Sequence, residues 1–173
     1  MKRLVLVLSL VLLVGLTVSC TQNDTKTAAD IKPQGGIKLA VLTLDGDLPG
    51  QTADQARELD MVMQWMDRDI VKIMTNAGFQ PSLIKDMRNY RPEMGKLLVI
   101  DVERFNAGNR AARAFVGYGA GAASLDLGYK LLDENGALLS EWHDGVGSSR
   151  GGTYCAQTLN RRALEKVSGL LAR

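Results

Sequence analysis

The sequence predicts an α/β domain built as a two-layer α+β fold, a mixed sheet of four to five strands with two long helices packed on it. Three observations carry that prediction. Two short apolar runs, IKLAVLTL at 37–44 and KLLVIDV at 96–102, have the length and β-branching of strands that are buried on both faces or nearly so. A stripe of apolar residues at spacings of three and four spans about 25 residues between them, which is helical periodicity. A strand–turn–strand pattern and a closing amphipathic segment then follow.

Ahead of the first strand stands MKRLVLVLSLVLLVGLTVSC. Lys2 and Arg3 precede a mostly apolar stretch from Leu4 to Leu16, 13 residues long, whereas a bilayer span takes about 20. A basic start, a short apolar core and a small residue before a cysteine describe an export signal. The ending Leu16-Thr17-Val18-Ser19-Cys20 resembles a bacterial lipobox, in which the cysteine becomes the lipidated first residue. Residues 1–19 are therefore expected to be a lipoprotein signal peptide. Residues 20–36 are expected to be the lipidated Cys20 and a flexible tether, because they are polar and carry no apolar period. Residues 37–173 are expected to form a single domain. Thr21 follows Cys20 where an aspartate would imply retention in the inner membrane, so the lipobox pattern implies an outer-membrane address facing the periplasm.

After the first strand, 45–50 (DGDLPG) has loop chemistry. Thr52 and Gln55 fit a capping box for a helix running to Ala77, with Ala56, Leu59, Met63, Met66, Ile70, Ile73 and Ala77 as its stripe and Gly78 at its end. A short extended piece is expected around 82–84, broken at 89–92 by Asn-Tyr-Arg-Pro. The second strand covers 96–102, and 103–113 is polar, with Asn106, Gly108 and Asn109, so it is expected as a loop or a short helical turn. Residues 124–132 alternate and read as a strand, 133–136 (DENG) as a hairpin turn, and 137–146 as its partner. A loop is expected at 147–152. The last helix is expected from about 154 to 171, capped by Thr153, with Ala156, Leu159, Ala163, Val167 and Leu170 inward.

Composition narrows the function. Without Lys2 and Arg3 the chain holds 19 basic and 19 acidic residues, a balance that argues against nucleic acid or a polybasic membrane patch. One histidine, His143, disfavours a histidine-based metal site, and no cofactor or metal is expected. With Cys20 acylated, Cys155 has no partner in the chain, so a disulfide scaffold is excluded and a buried, inert thiol is expected.

Gly117-x-Gly119-x-Gly121 lacks the preceding strand, following helix and spacing of a dinucleotide site. Close chain approach or a bend at a strand entrance accounts for these glycines better. His143, Asp144, Ser148 and Ser149 are near in sequence, but adjacent strand residues point to opposite faces, and no nucleophile elbow occurs. Tyr129 and Trp142 are placed to pair across the hairpin.

A GxGxG run (GYGAGA), a strand turning at LLDENGALL, a Gly/Ser-rich loop (GVGSSRGG) and a closing amphipathic helix stand together with the lipobox. In that order the chain from Ile37 onward resembles the bacterial lipoprotein family known as domain of unknown function 4410. The resemblance implies a cell-envelope location and supplies no settled activity. The element order is also similar to periplasmic domains of curli-secretion and peptidoglycan-synthase-activating lipoproteins, a likeness of fold alone.

The expected function is thus a non-catalytic lipoprotein that binds or assembles with an envelope protein or with itself. Its membrane contact would run through the lipid on Cys20, and its interaction loops would include Gly117, Gly119, Gly121, Ser148, Ser149 and Arg150. Two alternatives stand beside it. One is an enzyme acting on an envelope polymer through acids such as Asp45, Asp47, Asp101 or Glu103. The other is an oligomeric secretion or pore accessory.

Overall fold

The first apolar run becomes the strand on which the sheet is assembled. Leu39 to Thr43 of β1 (Lys38–Leu44) are all buried, as a strand covered on both faces requires. The computed structural model describes residues 36–108 and 121–171. After β1 come α1 (Ala53–Asn76), β2 (Gln80–Ile84), two 3₁₀ turns (Met87–Asn89 and Pro92–Met94), β3 (Lys96–Asn106), β4 (Ala123–Leu132), β5 (Leu138–Ser148) and α2 (Gly152–Leu171). The five strands lie in the order β2-β1-β3-β4-β5. β1 is parallel to both β2 and β3, and β3, β4 and β5 are successively antiparallel. The mixed sheet with two helices packed on it is the predicted fold.

Helix α1 forms where its caps demand. The Thr52 hydroxyl accepts from the Gln55 amide, and the Gln55 side chain accepts from the Thr52 amide at 3.0 Å, a complete capping box. At the other end Gly78 takes φ +86°, and Phe79 N donates back to Met74 O at 3.1 Å. The buried face holds Leu59, Met63, Met66 and Ile70 as expected, and adds Val62, Asp67 and Met74.

Alternation along β1 and β3 separates two cores. Leu39, Val41, Leu98, Ile100 and Val102 face the helices, joined by Leu125, Leu127, Tyr129 and Leu131 of β4. Ala40, Leu42, Ile84, Leu97 and Val99 face the other way. β2 and β3 both run parallel to β1, so residues 85–95 must return across this second face. They cover it with Tyr90 and Met94, and the Tyr90 hydroxyl donates to Gly95 O at 2.7 Å. Helix α2 lies beside α1 on the larger core. Asn160, 1% exposed, ties the two helices by donating to Met66 O and to Asp69, each at 3.0 Å.

Three expected boundaries are corrected. β3 runs on through 103–106, which were expected to leave the sheet. A register shift between Val102 and Arg104 breaks the alternation there, yet Arg104 and Phe105 still pair with Asp126 and Leu125. The expected loop at 147–152 shrinks to 149–151, because β5 extends to Ser148 by pairing with Ala123 and α2 begins at Gly152. Thr153 therefore sits inside the first turn of α2 instead of capping it.

Tyr129 and Trp142 stack across the hairpin, with ring centroids 4.9 Å apart and planes at 6°. The Tyr129 hydroxyl is buried, and no described residue bonds to it. Burial pushes its pKa well above the ordinary phenol range. Deleting the hydroxyl removes a desolvated polar group while keeping the ring. Tyr129→Phe is therefore expected to leave unfolding unchanged or to stabilise the protein by about 1 kcal/mol in urea titration.

Candidate functional site

The topology gives the domain two unlike ends. β1, β2 and β3 end at the same side, where β4 starts, β5 finishes and both helices begin. Gly36, the 133–137 hairpin and the last turn of α2 lie at the opposite end.

At the first end a solvent-open cleft of about 440 Å³ lies between the end of β1 and the first half of α1. Asp67 forms its floor. This carboxylate is 4% exposed because its place on α1, next to Met66 and between Met63 and Ile70, lies on the buried face. It accepts a hydrogen bond from the Thr43 hydroxyl at 2.7 Å and pairs with the Lys85 ammonium. Asp45, Gln51, Asp60 and Gln64 line the walls, and Gln64 donates to Asp60 at 2.9 Å. The loop that closes the cleft depends on Gly46. Its φ is +68°, and an added Cβ would lie 2.0 Å from the Val102 carbonyl oxygen.

This lining offers carboxylate and amide acceptors, amide donors and one ammonium. It matches a ligand carrying hydroxyl or amino groups, oriented by a few convergent polar contacts. Among the described residues no three His, Cys, Asp or Glu side chains are grouped to hold a metal ion.

The interaction residues expected from the sequence gather in part. Cys20, Gly117 and Gly119 lie outside the described residues. Gly121 has φ +68°, and its carbonyl oxygen would be 2.3 Å from a Cβ on Gly108, so two chain segments meet where the sequence reading expected close approach. Ser148 ends β5 and accepts from Arg150 N at 3.0 Å, while the Arg150 guanidinium lies 4.1 Å from the centre of the Tyr154 ring. Ser149 completes that turn. Gly121, Ser148, Ser149 and Arg150 therefore share the cleft's end of the domain, on the β4–β5 side of the sheet.

Of the acids considered, Asp45 lines the cleft. Asp101 alternates with the core residues Ile100 and Val102 and so faces away from the helices. Glu103 pairs with His143 at 2.6 Å, above Gly128, where an added Cβ would meet the Glu103 carboxylate at 2.6 Å. Asp144 points the other way and binds Arg162 of α2 at 2.9 Å. His143 and Asp144 thus occupy opposite faces of β5, as strand geometry predicts. The Arg104–Asp126 pair at 2.7 Å and the Lys130–Glu141 pair at 3.4 Å complete an exposed polar face.

Cys155 is fully buried, and burial pushes its thiol pKa up. The folded protein is expected to leave this thiol unalkylated by iodoacetamide at pH 8 and to expose it on unfolding, read by mass.

Thr43, Asp67 and Lys85 are the cleft residues that the sequence did not reveal. One signal was present: Asp67 stands beside the apolar stripe of α1, four residues after Met63 and three before Ile70, which sets it on the same face.

The model of a family described as domain of unknown function (DUF4410) matches residues 21–152. No curated protein matches the sequence. Among solved structures, the chain is similar to a PelC dodecamer from Paraburkholderia phytofirmans, in a single-substitution variant, with TM-score 0.47 and 14% identity over 81% of this chain and 92% of that one. It is also similar to uncharacterized lipoprotein B from Nitrosomonas europaea, with TM-score 0.33 and 10% identity over 82% and 92% of the two chains.

Proposed function

Because this chain belongs to the DUF4410 family, a domain of unknown function, we propose a role for it from its own geometry. It is a non-catalytic lipoprotein of the cell envelope, held by acyl chains on Cys20 in the periplasm-facing leaflet of the outer membrane. It recognises a hydroxyl- or amino-bearing envelope component at the end of the domain farthest from that anchor.

The observation that carries this reading is the polarity of the fold. The described chain enters at Gly36, beside the start of β1, while the cleft and the turn that follows β5 open past the far ends of the strands. Seven residues of β1 at about 3.3 Å each separate the two ends by roughly 20 Å. An anchor at one end and a polar cleft at the other is the arrangement that lets a tethered domain present its site to the aqueous side. The sequence features of residues 1–20 support the anchor. The mixed polar lining of the cleft supports recognition over acid–base chemistry.

A second reading, self-association, is favoured by β5. It is an 11-residue edge strand without proline or lysine, and such edges invite pairing.

Site-specific photo-cross-linking in intact cells tests the proposal. A photoreactive residue at Gln64, exposed on the cleft wall, is expected to give a discrete adduct with another envelope component. The same residue at Lys130, on the opposite sheet face, is expected to give none. Equal adducts from both positions, or none from Gln64, would overturn the reading. An adduct between two copies would favour self-association.

A further inference from the structure

At the end opposite the cleft, Ile37, Leu170 and Leu171 pack at the rim of the larger core and share a groove with Leu139, while Leu138 stands beside Leu132 at the edge of the smaller core. Leu138 and Leu139 open β5 and are 55% and 46% exposed. The register shift between Leu131 and Leu132 pairs Leu132 with Leu138 and Leu131 with Ser140, so Leu139 is the extra residue of a bulge and is turned out of the ladder. Leu139 shares a shallow groove of about 700 Å³ with Ile37, Leu170 and Leu171. Isolated exposed leucines are ordinary, but a contiguous apolar patch marks a contact surface.

Two ammonium groups, Lys38 and Lys96, and two carboxylates, Glu93 and Glu134, line the groove, so its charges balance in sign. Lys96 pairs with Glu134 at 2.8 Å, which holds the Glu134 carboxyl below its usual range, and Lys38 donates to the Glu93 carbonyl oxygen at 3.2 Å. The surface therefore offers apolar contact without a basic field.

What covers it follows from where the chain enters. Gly36 and Ile37 line the same groove. Only 15 residues separate Cys20 from Gly36, and a coil of that length would span about 19–23 Å on average. A lipid on Cys20 would keep this end of the domain within reach of the leaflet. Resting on that anchored reading, we infer that the hairpin end of the domain is a second membrane contact. Leu138, Leu139, Leu170, Leu171 and Ile37 settle into the interfacial region of the bilayer and hold the cleft pointing away from it. The contact is apolar and so is insensitive to the fraction of anionic lipid, unlike a polybasic one.

The test uses the full chain, exported and processed in cells, then reconstituted in phosphatidylethanolamine–phosphatidylglycerol vesicles. A nitroxide is attached at Leu139→Cys, and separately at Met61→Cys, a 59%-exposed position on α1 away from this end. Buried Cys155 and acylated Cys20 would not compete for the label. Collisions with a water-soluble nickel complex are expected to fall several-fold at position 139 relative to position 61, while collisions with lipid-dissolved oxygen rise. Halving the phosphatidylglycerol should change neither. Water exposure at 139 equal to that at 61, with Cys20 acylated by mass, would overturn this inference and leave the anchored reading standing. Spin–spin broadening at 139 would overturn it in favour of a second copy, and shielding from both reagents in favour of the chain's own tether. An unmodified Cys20 would remove the anchored reading itself.

Discussion

Replacing Cys20 by serine is expected to move the protein from the membrane fraction to the soluble fraction. Each buried acyl CH₂ contributes about 0.8 kcal/mol, so one chain of about 14 carbons binds reversibly and two or more hold a protein stably. Among the described residues no helix is long and apolar enough to cross a membrane; the proposed anchor is the lipid on Cys20. The leucine patch at the hairpin end offers too little apolar surface to substitute for it. Wild-type protein is expected to stay with the membranes through a high-salt wash, and the serine variant to be released by the first wash. Release of both by salt would show that the attachment is electrostatic instead.

Leu98→Ala is expected to give the largest loss of stability among single core changes in β3. Leu98 is fully buried between the sheet and both helices, in the larger core. Such truncations cost about 2–5 kcal/mol, because the transfer free energy is lost and a cavity remains. A domain of this size loses about 2–4 °C of Tm per kcal/mol, so Tm falls by roughly 4–20 °C. The neighbouring Leu97→Ala falls on the other face, in a cluster of five buried residues covered by the 3₁₀ segment. That cover is short and backed by solvent, so it can close over the gap, and the cost lies near the lower bound. Thermal unfolding of the two variants side by side measures the difference. Equal losses, or a larger loss for Leu97, would contradict this view of the two layers.

The elements that could be read from the sequence were those whose local signals agree with their tertiary surroundings. The capping box at Thr52 and Gln55, the stripe from Leu59 to Ile70 and Gly78 all demand α1, and the structure meets each demand. The apolar runs of β1 and β3 are legible because both faces of those strands are covered. Glu103 and Arg104 were not legible as strand. Their outer face meets water and pairs with His143 and Asp126, and a bulge interrupts the alternation that would have marked them. Residues 85–95 carry no period, so nothing local announces that Tyr90 and Met94 close the second face of the sheet. The cleft is less visible still. Thr43, Asp67 and Lys85 are separated by 24 and 18 positions, and only the packing of α1 against the sheet brings them together. Gly121, Ser149 and Arg150 were legible as turn and close-approach chemistry, whereas Ser148, expected in the same loop, ends β5 by pairing with Ala123; all four lie at the cleft's end of the domain.

The proposed role depends on a lipid fastening Cys20 to a membrane, and one measurement reaches that directly. Mass analysis of the protein purified from membranes is expected to find a mature chain that begins at Cys20, with its N-terminal peptide heavier by the mass of several fatty acyl groups. An N-terminal peptide in which Cys20 carries a free thiol, or one that still contains residues 1–19, would contradict the account.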